Sequence, residues 1–369
     1  MLRIALIGDA QSPHLLKWAR ALAAAADVEL WVASSRGFVP GFEVLVPRER
    51  RLALDFDPAH AGGNVALLAS LPRLGAWLRR VDADWLHAHY LTSHGTLAWL
   101  AKRIWRLRGR IVGSAWGSDI LLAPRRSQAH RWVTQRVLRA CVLTTSDSRF
   151  MAARMRELGA REVMTFPFGL ESLPPESLSQ EYGPKEPWLF FANRGLEPVY
   201  RPQRVLATFA AVAAVQAQAR LVMANDGSLA RDLPAQARAL GLTVGTLAAG
   251  AQVEFVGRLD SAQQARWYAH ARWFISLPAS DSVSVSVLEA MAHGCIPLLS
   301  ALPANRELVA DGRNGLVVGN AAFDPHALPA LLERADEIAQ GNRSWVAQHG
   351  LFAPAVAVFL TRLRELSAP

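Results

Sequence analysis

Short β-branched or apolar runs alternate along this chain with longer stretches in which apolar positions recur every three to four residues. In the first half, Arg3–Gly8, Val28–Ala33, Phe42–Val46, Trp85–His89, Arg110–Ala115 and Cys141–Ser146 read as strands. Helices are expected between them at Pro13–Ala25, Ala66–Arg80, Ser93–Arg106, Ser127–Arg139 and Arg149–Leu158. Between Phe166 and Pro187 the periodicity fails while Pro167, Gly169, Pro174, Pro175, Gly183 and Pro184 accumulate, which marks a linker. The alternation then restarts, with strands at Trp188–Ala192, Arg220–Ala224, Val253–Val256, Trp273–Leu277, Ile296–Leu299 and Leu316–Val318. Helices are expected at Gln203–Gln216, Ser228–Leu240, Ser261–Ala269, Ser286–His293 and Pro325–Ala339, and Trp345–Leu366 is helical with breakers at Gly350 and Pro354.

Strand–helix alternation of this kind builds parallel sheets from βαβ units, so the fold class is α/β with two doubly wound domains. The expected division is 1–166, a linker at 167–187, a second domain at 188–345, and a helical segment at 346–369 that packs back on the first domain. Ligands of such sheets sit at the carboxyl ends of the strands, which points to a site in the cleft between the domains. The length of 369 residues suits two domains. No apolar run approaches the roughly 18 residues of a membrane-spanning helix. MLRIALIGDA does not read as a secretory leader, and Cys141 and Cys295 form no disulfide or metal pattern, so a reducing cytoplasm is expected.

Charge adds a location. Of 40 basic residues only Lys17, Lys102 and Lys185 are lysines, and the net charge is +9. Between Leu100 and Ala160 thirteen Lys/Arg face three acids, so this stretch carries essentially the whole excess. A localised basic face suits nucleic acid, an anionic membrane surface or phosphorylated substrates, unless arginine is simply the generic surface residue here. No nucleic-acid module accompanies the arginines, and none is expected as a partner. Trp99, Trp105 and Trp132 lie among them, as at a lipid interface.

The richest chemistry lies in SDSVSVSVLEAMAHGCIPLLSALPANRELVADGRNGLVV, Ser280–Val318. Asp281 precedes the expected helix and Glu289 falls within it, near a helix start whose free N–H groups suit a phosphate. Ser286–Glu289 also reads as an S-x-x-E capping box, in which Glu289 merely bonds backbone. The wider window, with Asp281, LEAMAHGCIP, Glu307 and DGRNG, resembles the C-terminal signature of the family-4 glycosyltransferases of GT-B fold.

That resemblance implies two Rossmann-like domains and a nucleotide-sugar donor, with either uridine or guanosine as base. It implies that Asp281 holds the sugar, that Glu289 holds the ribose, and that the N–H groups of Ser282, Val283, Ser284 and Val285 hold the diphosphate. Arg194 occupies the family's cationic position after the first strand of the second domain. The following Lys position holds Tyr200, with Arg201 immediately after, so either Arg201 supplies the second cation or the enzyme uses one. Gly257 and Arg258 match the place of base contact.

In the first domain Asp84–Tyr90 matches a D-x-x-H-x-H strand end whose second His, here His89, faces the donor sugar; strand alternation puts His87 on the same side. Ser114–Asp119 matches HGSD with Trp116 in the His position, and leaves Gly117 and Asp119 facing the site. The first loop, Gly8, Asp9 and onward, lacks the dinucleotide fingerprint and in relatives shapes the acceptor side, with His14 and Lys17 as candidate contacts. The D-x-D triplets Asp55–Asp57 and Asp82–Asp84 would suit a metal-dependent fold; no metal and no cofactor beyond the substrate nucleotide are expected.

The implied reaction is retaining transfer of a hexosyl or related sugar to a cell-envelope, exopolysaccharide or lipid-linked acceptor, by a peripheral protein on the inner face of the cytoplasmic membrane. The alternatives are a sugar-nucleotide epimerase or phosphorylase of the same fold, and a catalytically silent sugar-nucleotide binder.

Overall fold

The computed structural model describes residues 1–56, 65–175, 181 and 183–368. The chain divides into two compact units, Met1–Pro167 joined by Phe352–Pro369, and Phe168–Leu351. In the first, β1 (Leu2–Gly8), β2 (Val28–Ser34), β3 (Arg51–Ala53), β4 (Trp85–His89), β5 (Arg110–Ser114), β6 (Cys141–Ser146) and β7 (Val163–Thr165) form a parallel sheet ordered β3-β2-β1-β4-β5-β6-β7. In the second, β8 (Glu186–Ala192), β9 (Arg220–Ala224), β10 (Val253–Gly257), β11 (Ala271–Ser276), β12 (Ile296–Ser300) and β13 (Leu316–Val318) form a parallel sheet ordered β10-β9-β8-β11-β12-β13.

Helices on both faces explain why these strands are apolar almost throughout rather than alternating. Ile4, Leu6, Ile7, Phe190, Trp273 and Phe274 have no exposed surface. In each sheet the winding reverses once, between β1 and β4 and between β8 and β11. At such a switch point the loops after the two strands diverge and leave a crevice. Short polar residues start the helices: Ser12, Ser127 and Ser148 accept from the N–H groups of His14, His130 and Met151, and Asp260 and Gln263 form a reciprocal cap.

Several sequence expectations need correction. Phe42–Val46 is not a strand: Gly41–Leu45 is a short helix, and the third strand is Arg51–Ala53. Pro40 has helical backbone angles at the turn's start, and Phe42 and Val46 are buried while Val44 is exposed. The helix expected from Ser93 opens as a wide turn over Tyr90–Gly95 and becomes regular at Thr96–Trp105. Ser228–Leu240 is helical over Leu233–Ala239.

Residues 168–175 belong to the second unit rather than to a free linker. Leu170 N–H donates to the Gly350 carbonyl at 2.7 Å. A Cβ at Gly169 would lie 1.8 Å from that same oxygen, so glycine is required for the approach. Of the rest of the expected linker, 176–180 and 182 lie outside the described residues, as does Asp57, and Glu186 and Pro187 already belong to β8. The helix Ala335–His349 carries the second unit past residue 345, and the break at Gly350 hands the chain to Phe352–Ser367 in the first unit. There Trp18 meets Phe352 and Phe359 edge-on at 5.0 and 5.3 Å, and the Trp85 indole donates to Ser367 Oγ at 2.9 Å.

Candidate active site

The loop after β8 and the loop after β11 meet at the switch point of the second sheet. Arg194, two residues beyond β8, reaches across to the β11 loop. Its Nη2 pairs with Asp281 Oδ2 at 2.7 Å, and its Nη1 donates to Ser284 Oγ. The guanidinium carbon lies 4.4 Å from the centre of the Tyr200 ring, a cation–π contact. Tyr200, at the position where the resemblance implies a lysine, is therefore a platform for Arg194. Arg201 is exposed, in the left-handed region at φ 49° ahead of Pro202.

Asp281 Oδ1 accepts the Ser282 N–H at 3.0 Å. Burial raises the Asp281 carboxyl above its usual range, with Arg194 pulling the other way. The helix Val285–Ala292 begins after Ser284, whose hydroxyl makes no capping bond. Val287 and Leu288 donate to the Ser284 carbonyl at 3.1 and 3.3 Å, while the N–H groups of Val285 and Ser286 have no acceptor within the helix. This geometry removes the capping-box alternative: a capping glutamate would stand three residues after the cap, which is Val287. Glu289 stands two residues later, half-buried, with Oε2 accepting the Tyr268 hydroxyl at 3.0 Å.

Beside this pair is a cavity of about 160 Å³ lined by Asn193, Asn225, Arg258, Leu259 and Gln264. Gly257, at φ 67°, ends β10 there, and its carbonyl accepts the Asn225 N–H at 2.5 Å. Buried Asn193 Oδ1 has no hydrogen-bond partner among the described residues. The DGRNG turn, by contrast, serves the fold. Asn314 donates to Leu308 O and to Asn342, and Asp311 accepts the Val317 N–H.

At the switch point of the first sheet lies a cavity of about 260 Å³ lined by Asp9, Gln11, Ser12, Arg36, His89, Tyr90 and Trp116. Gly8 ends β1 at its base, and Asp9 is ion-paired to Arg36. The His87 and His89 rings lie 4.5 Å apart on one side of β4. Trp116 donates its indole N–H to His89 Nδ1 at 3.1 Å. An indole nitrogen can only donate, so His89 carries its proton on Nε2, where no partner is present among the described residues. Burial holds His87 at a pKa of about 3 and pushes His89 well below its usual value, neighbouring histidines adding to the effect. Both rings are neutral.

His14 packs on Trp116 at 5.0 Å. Two expected contacts turn inward. Asp119 is fully buried and accepts the N–H groups of Leu91 and Trp116, each at 2.9 Å, so it shapes the loops instead of facing the cavity; burial raises its carboxyl. Gly117, at φ 102°, makes the turn into the short helix Ser118–Leu121. Lys17 is buried with Nζ 4.8 Å from the centre of the Phe352 ring. Asp55 and Asp82 pair with Arg73 and Arg108, and among the described residues no cluster of three metal-ligating side chains occurs.

Nothing in the sequence marks Asn193, Tyr268 or Arg36. The one available signal is a lone phenol between the apolar helix end and β11, in WYAHARWFIS.

Two doubly wound domains, each with its loops gathered at the switch point, define the GT-B class. Residues 3–148 match the model of the glycosyl transferase 4-like family and residues 186–335 that of the glycosyl transferases group 1. The first unit thus carries a domain of the glycosyl transferase 4-like family, and the second a domain of the glycosyl transferases group 1. It is 29% identical over 135 residues to the alpha-monoglucosyldiacylglycerol synthase of Streptococcus pneumoniae, a match spanning 36% of this chain and 29% of that protein. HepE of Anabaena, solved in complex with UDP-glucose, is similar in structure at TM-score 0.75 and 15% identity, over 99% of this chain and 100% of that one. The sucrose-phosphate synthase of Thermosynechococcus elongatus is similar at TM-score 0.73 and 15% identity over 99% of each chain.

Proposed function

We propose that this protein transfers a hexosyl or related sugar, with retention and without a metal, from a UDP- or GDP-linked donor to a cell-envelope, exopolysaccharide or lipid-linked acceptor. The observation that carries the reading is Arg194, held by Asp281, Ser284 and Tyr200 at the open start of the helix Val285–Ala292. A fixed cation beside free N–H groups stabilises the charge that develops on a departing diphosphate. Glu289 binds the ribose diol, Asp281 a sugar hydroxyl, and the 160 Å³ cavity with Gly257 and Arg258 the base. HepE, solved with UDP-glucose, supports uridine as the first base to test.

In the proposed step the acceptor oxygen bonds to the anomeric carbon on the face from which the diphosphate leaves, and the acceptor proton passes to the departing phosphate oxygen. Neutral His89 serves this chemistry as a hydrogen-bond donor, not as an acid or base. The 260 Å³ cavity, with Gly8, Asp9 and His14, is the acceptor side.

An anionic membrane surface is the proposed location. Trp132 and Ile104 are 51% and 57% exposed, Arg136 stacks on Trp132 at 5.2 Å, and Trp99 lies 6.3 Å from Trp132. Trp105 does not join that face. It covers Gly75, where a Cβ would fall 2.5 Å from the indole. No helix among the described residues is long and apolar enough to cross a membrane.

A thermal-shift panel of nucleoside diphosphate sugars tests the donor. A ligand at a hundredfold excess over its Kd should add about 2.7 kcal/mol to stability. Stabilisation by none of the UDP or GDP sugars overturns the reading.

A further inference from the structure

We propose that Tyr268 is a positioning residue for the donor site, its hydroxyl fixing the direction in which the Glu289 carboxylate meets the ribose. The inference rests on the reading of Glu289 as the ribose-binding group. A glutamate turns about three side-chain torsions, so one carboxylate direction has to be imposed by a neighbour before binding if the ordering cost is to be avoided.

Tyr268 is built to impose it. The residue is 2% exposed, its ring stacks on His293 at 5.3 Å and 18°, and it meets Phe191 edge-on at 5.1 Å. The phenol oxygen is therefore held by packing, without help from the groups it bonds. Asn193 Nδ2 lies 2.7 Å from that oxygen and can only donate. The other Nδ2 proton goes to Gln264 Oε1 at 2.9 Å. The phenol must accept from Asn193, which leaves its own proton for an acceptor.

Two acceptors are in reach: Glu289 Oε2 at 3.0 Å and the Ser286 carbonyl at 3.2 Å. An ionised carboxylate is the stronger of the two. Burial, and the nearby Glu289, raise the phenol's pKa well above its usual value, so the donor proton stays in place. A carboxylate offers about four lone-pair sites, enough in principle to serve Tyr268 and a vicinal diol together. The same relay joins the two halves of the site, because Asn193 directly precedes Arg194.

Tyr268→Phe deletes one atom and keeps the ring. Titration calorimetry with UDP and GDP, each beside its 2′,3′-dideoxy form, separates ribose recognition from everything else. Wild-type protein should prefer the ribonucleotide. In Tyr268→Phe affinity for the ribonucleotide should fall about five- to tenfold, with the dideoxy form unaffected. Equal losses on both ligands, or no loss on either, overturn the positioning role. Glu289→Gln tests the reading beneath it. If that variant loses the ribose preference while Tyr268→Phe keeps it, only the positioning role falls. Should Glu289→Gln keep the wild-type preference, or wild-type protein bind neither nucleotide, the ribose reading fails and takes the proposal with it. Asn193→Ala frees the phenol proton to turn away and leaves the ring packed. It carries the same expected loss of ribose preference if Tyr268→Phe does not fold, and an unchanged preference in it counts against the proposal equally.

Discussion

The two sheets share one strand order, and each opens two loops where that order reverses, yet the chemistry at the two reversals is opposite. Between β8 and β11 the side chains are charged and held by other polar groups: Arg194 on Asp281, Glu289 on Tyr268. Between β1 and β4 lie neutral imidazoles wrapped in indoles, with Trp18 edge-on to His87 at 4.8 Å and Trp116 donating to His89. Asp9 and Arg36 are the ion pair there, at the rim. Surface charge runs the other way, since Leu100–Ala160 of the first unit carries nearly all of the +9. The same scaffold thus places an arginine and two carboxylates where a diphosphate would leave in one unit, and in the other sets neutral imidazoles beside the Asp9–Arg36 ion pair. The fold decides where a site lies; the side chains on its loops decide what it does.

Arg194→Ala tests the charged reversal most severely. It removes the cation facing the leaving group, and donor turnover should drop about a thousandfold, or ~4 kcal/mol. Asp281 would lose the partner that opposes its raised pKa, so as pH falls the variant's residual activity should be lost at a higher pH than wild-type activity. Turnover within tenfold of wild type would sink the assignment of the leaving-group cation. Next in size is Glu289→Ala, expected to lower turnover about a hundredfold (~3 kcal/mol) with thermal unfolding little changed. Normal turnover by that folded variant would remove Glu289 from the donor site.

How much of this was legible in the sequence follows the same division. Asp281, Glu289 and Arg194 were legible through the resemblance of their windows to a known family, since on its own the Glu289 pattern read equally as a cap and nothing local set Arg194 apart. The capping box was a real competitor on four residues, and only the helix start at Val285, one residue earlier than expected, eliminates it. Tyr268, Asn193 and Tyr200 were illegible, since each acts through a contact made across more than one element. In the first unit Asp119 and Lys17 look like site residues in a string of letters. Both are buried, one spent on backbone N–H groups and the other packed on Phe352. Phe42–Val46 misled because a five-residue apolar run has no period long enough to tell a strand from one helical turn.

The neutral reversal makes a prediction about stability. His87 titrates near 3 in the folded protein and near 6.5 when unfolded, so below about pH 6.5 the unfolded chain binds the extra proton. Stability contributed by the neutral ring is complete above that pH and is lost as pH falls, by about 1.4 kcal/mol per unit. His89, and His293 with its value of about 4, add in the same direction. His87→Gln keeps a partner for Ser114 without a titrating group, so its unfolding temperature should fall less than that of wild type between pH 6.5 and 5. Parallel curves for the two proteins would mean that the ring is not held neutral by burial.

The smallest effect concerns the surface that the first unit charges while leaving its interior neutral. Each arginine near an anionic bilayer is worth about 1 kcal/mol, and screening removes most of that at high salt. Arg131 and Arg136 flank exposed Trp132 on the helix Gln128–Ala140, and Arg136 already covers its ring. Arg131→Ala with Arg136→Ala should therefore weaken sedimentation with phosphatidylglycerol vesicles by about tenfold to thirtyfold at low salt. Nucleotide binding should be unchanged, since neither arginine belongs to the second unit. Trp132→Ala should weaken vesicle binding too, but with little dependence on salt, because what it removes is apolar area rather than charge. If wild-type protein ignores the vesicles, or the double variant binds them as wild type does, the arginines are ordinary surface composition and the opposition between the two units ends at their switch points.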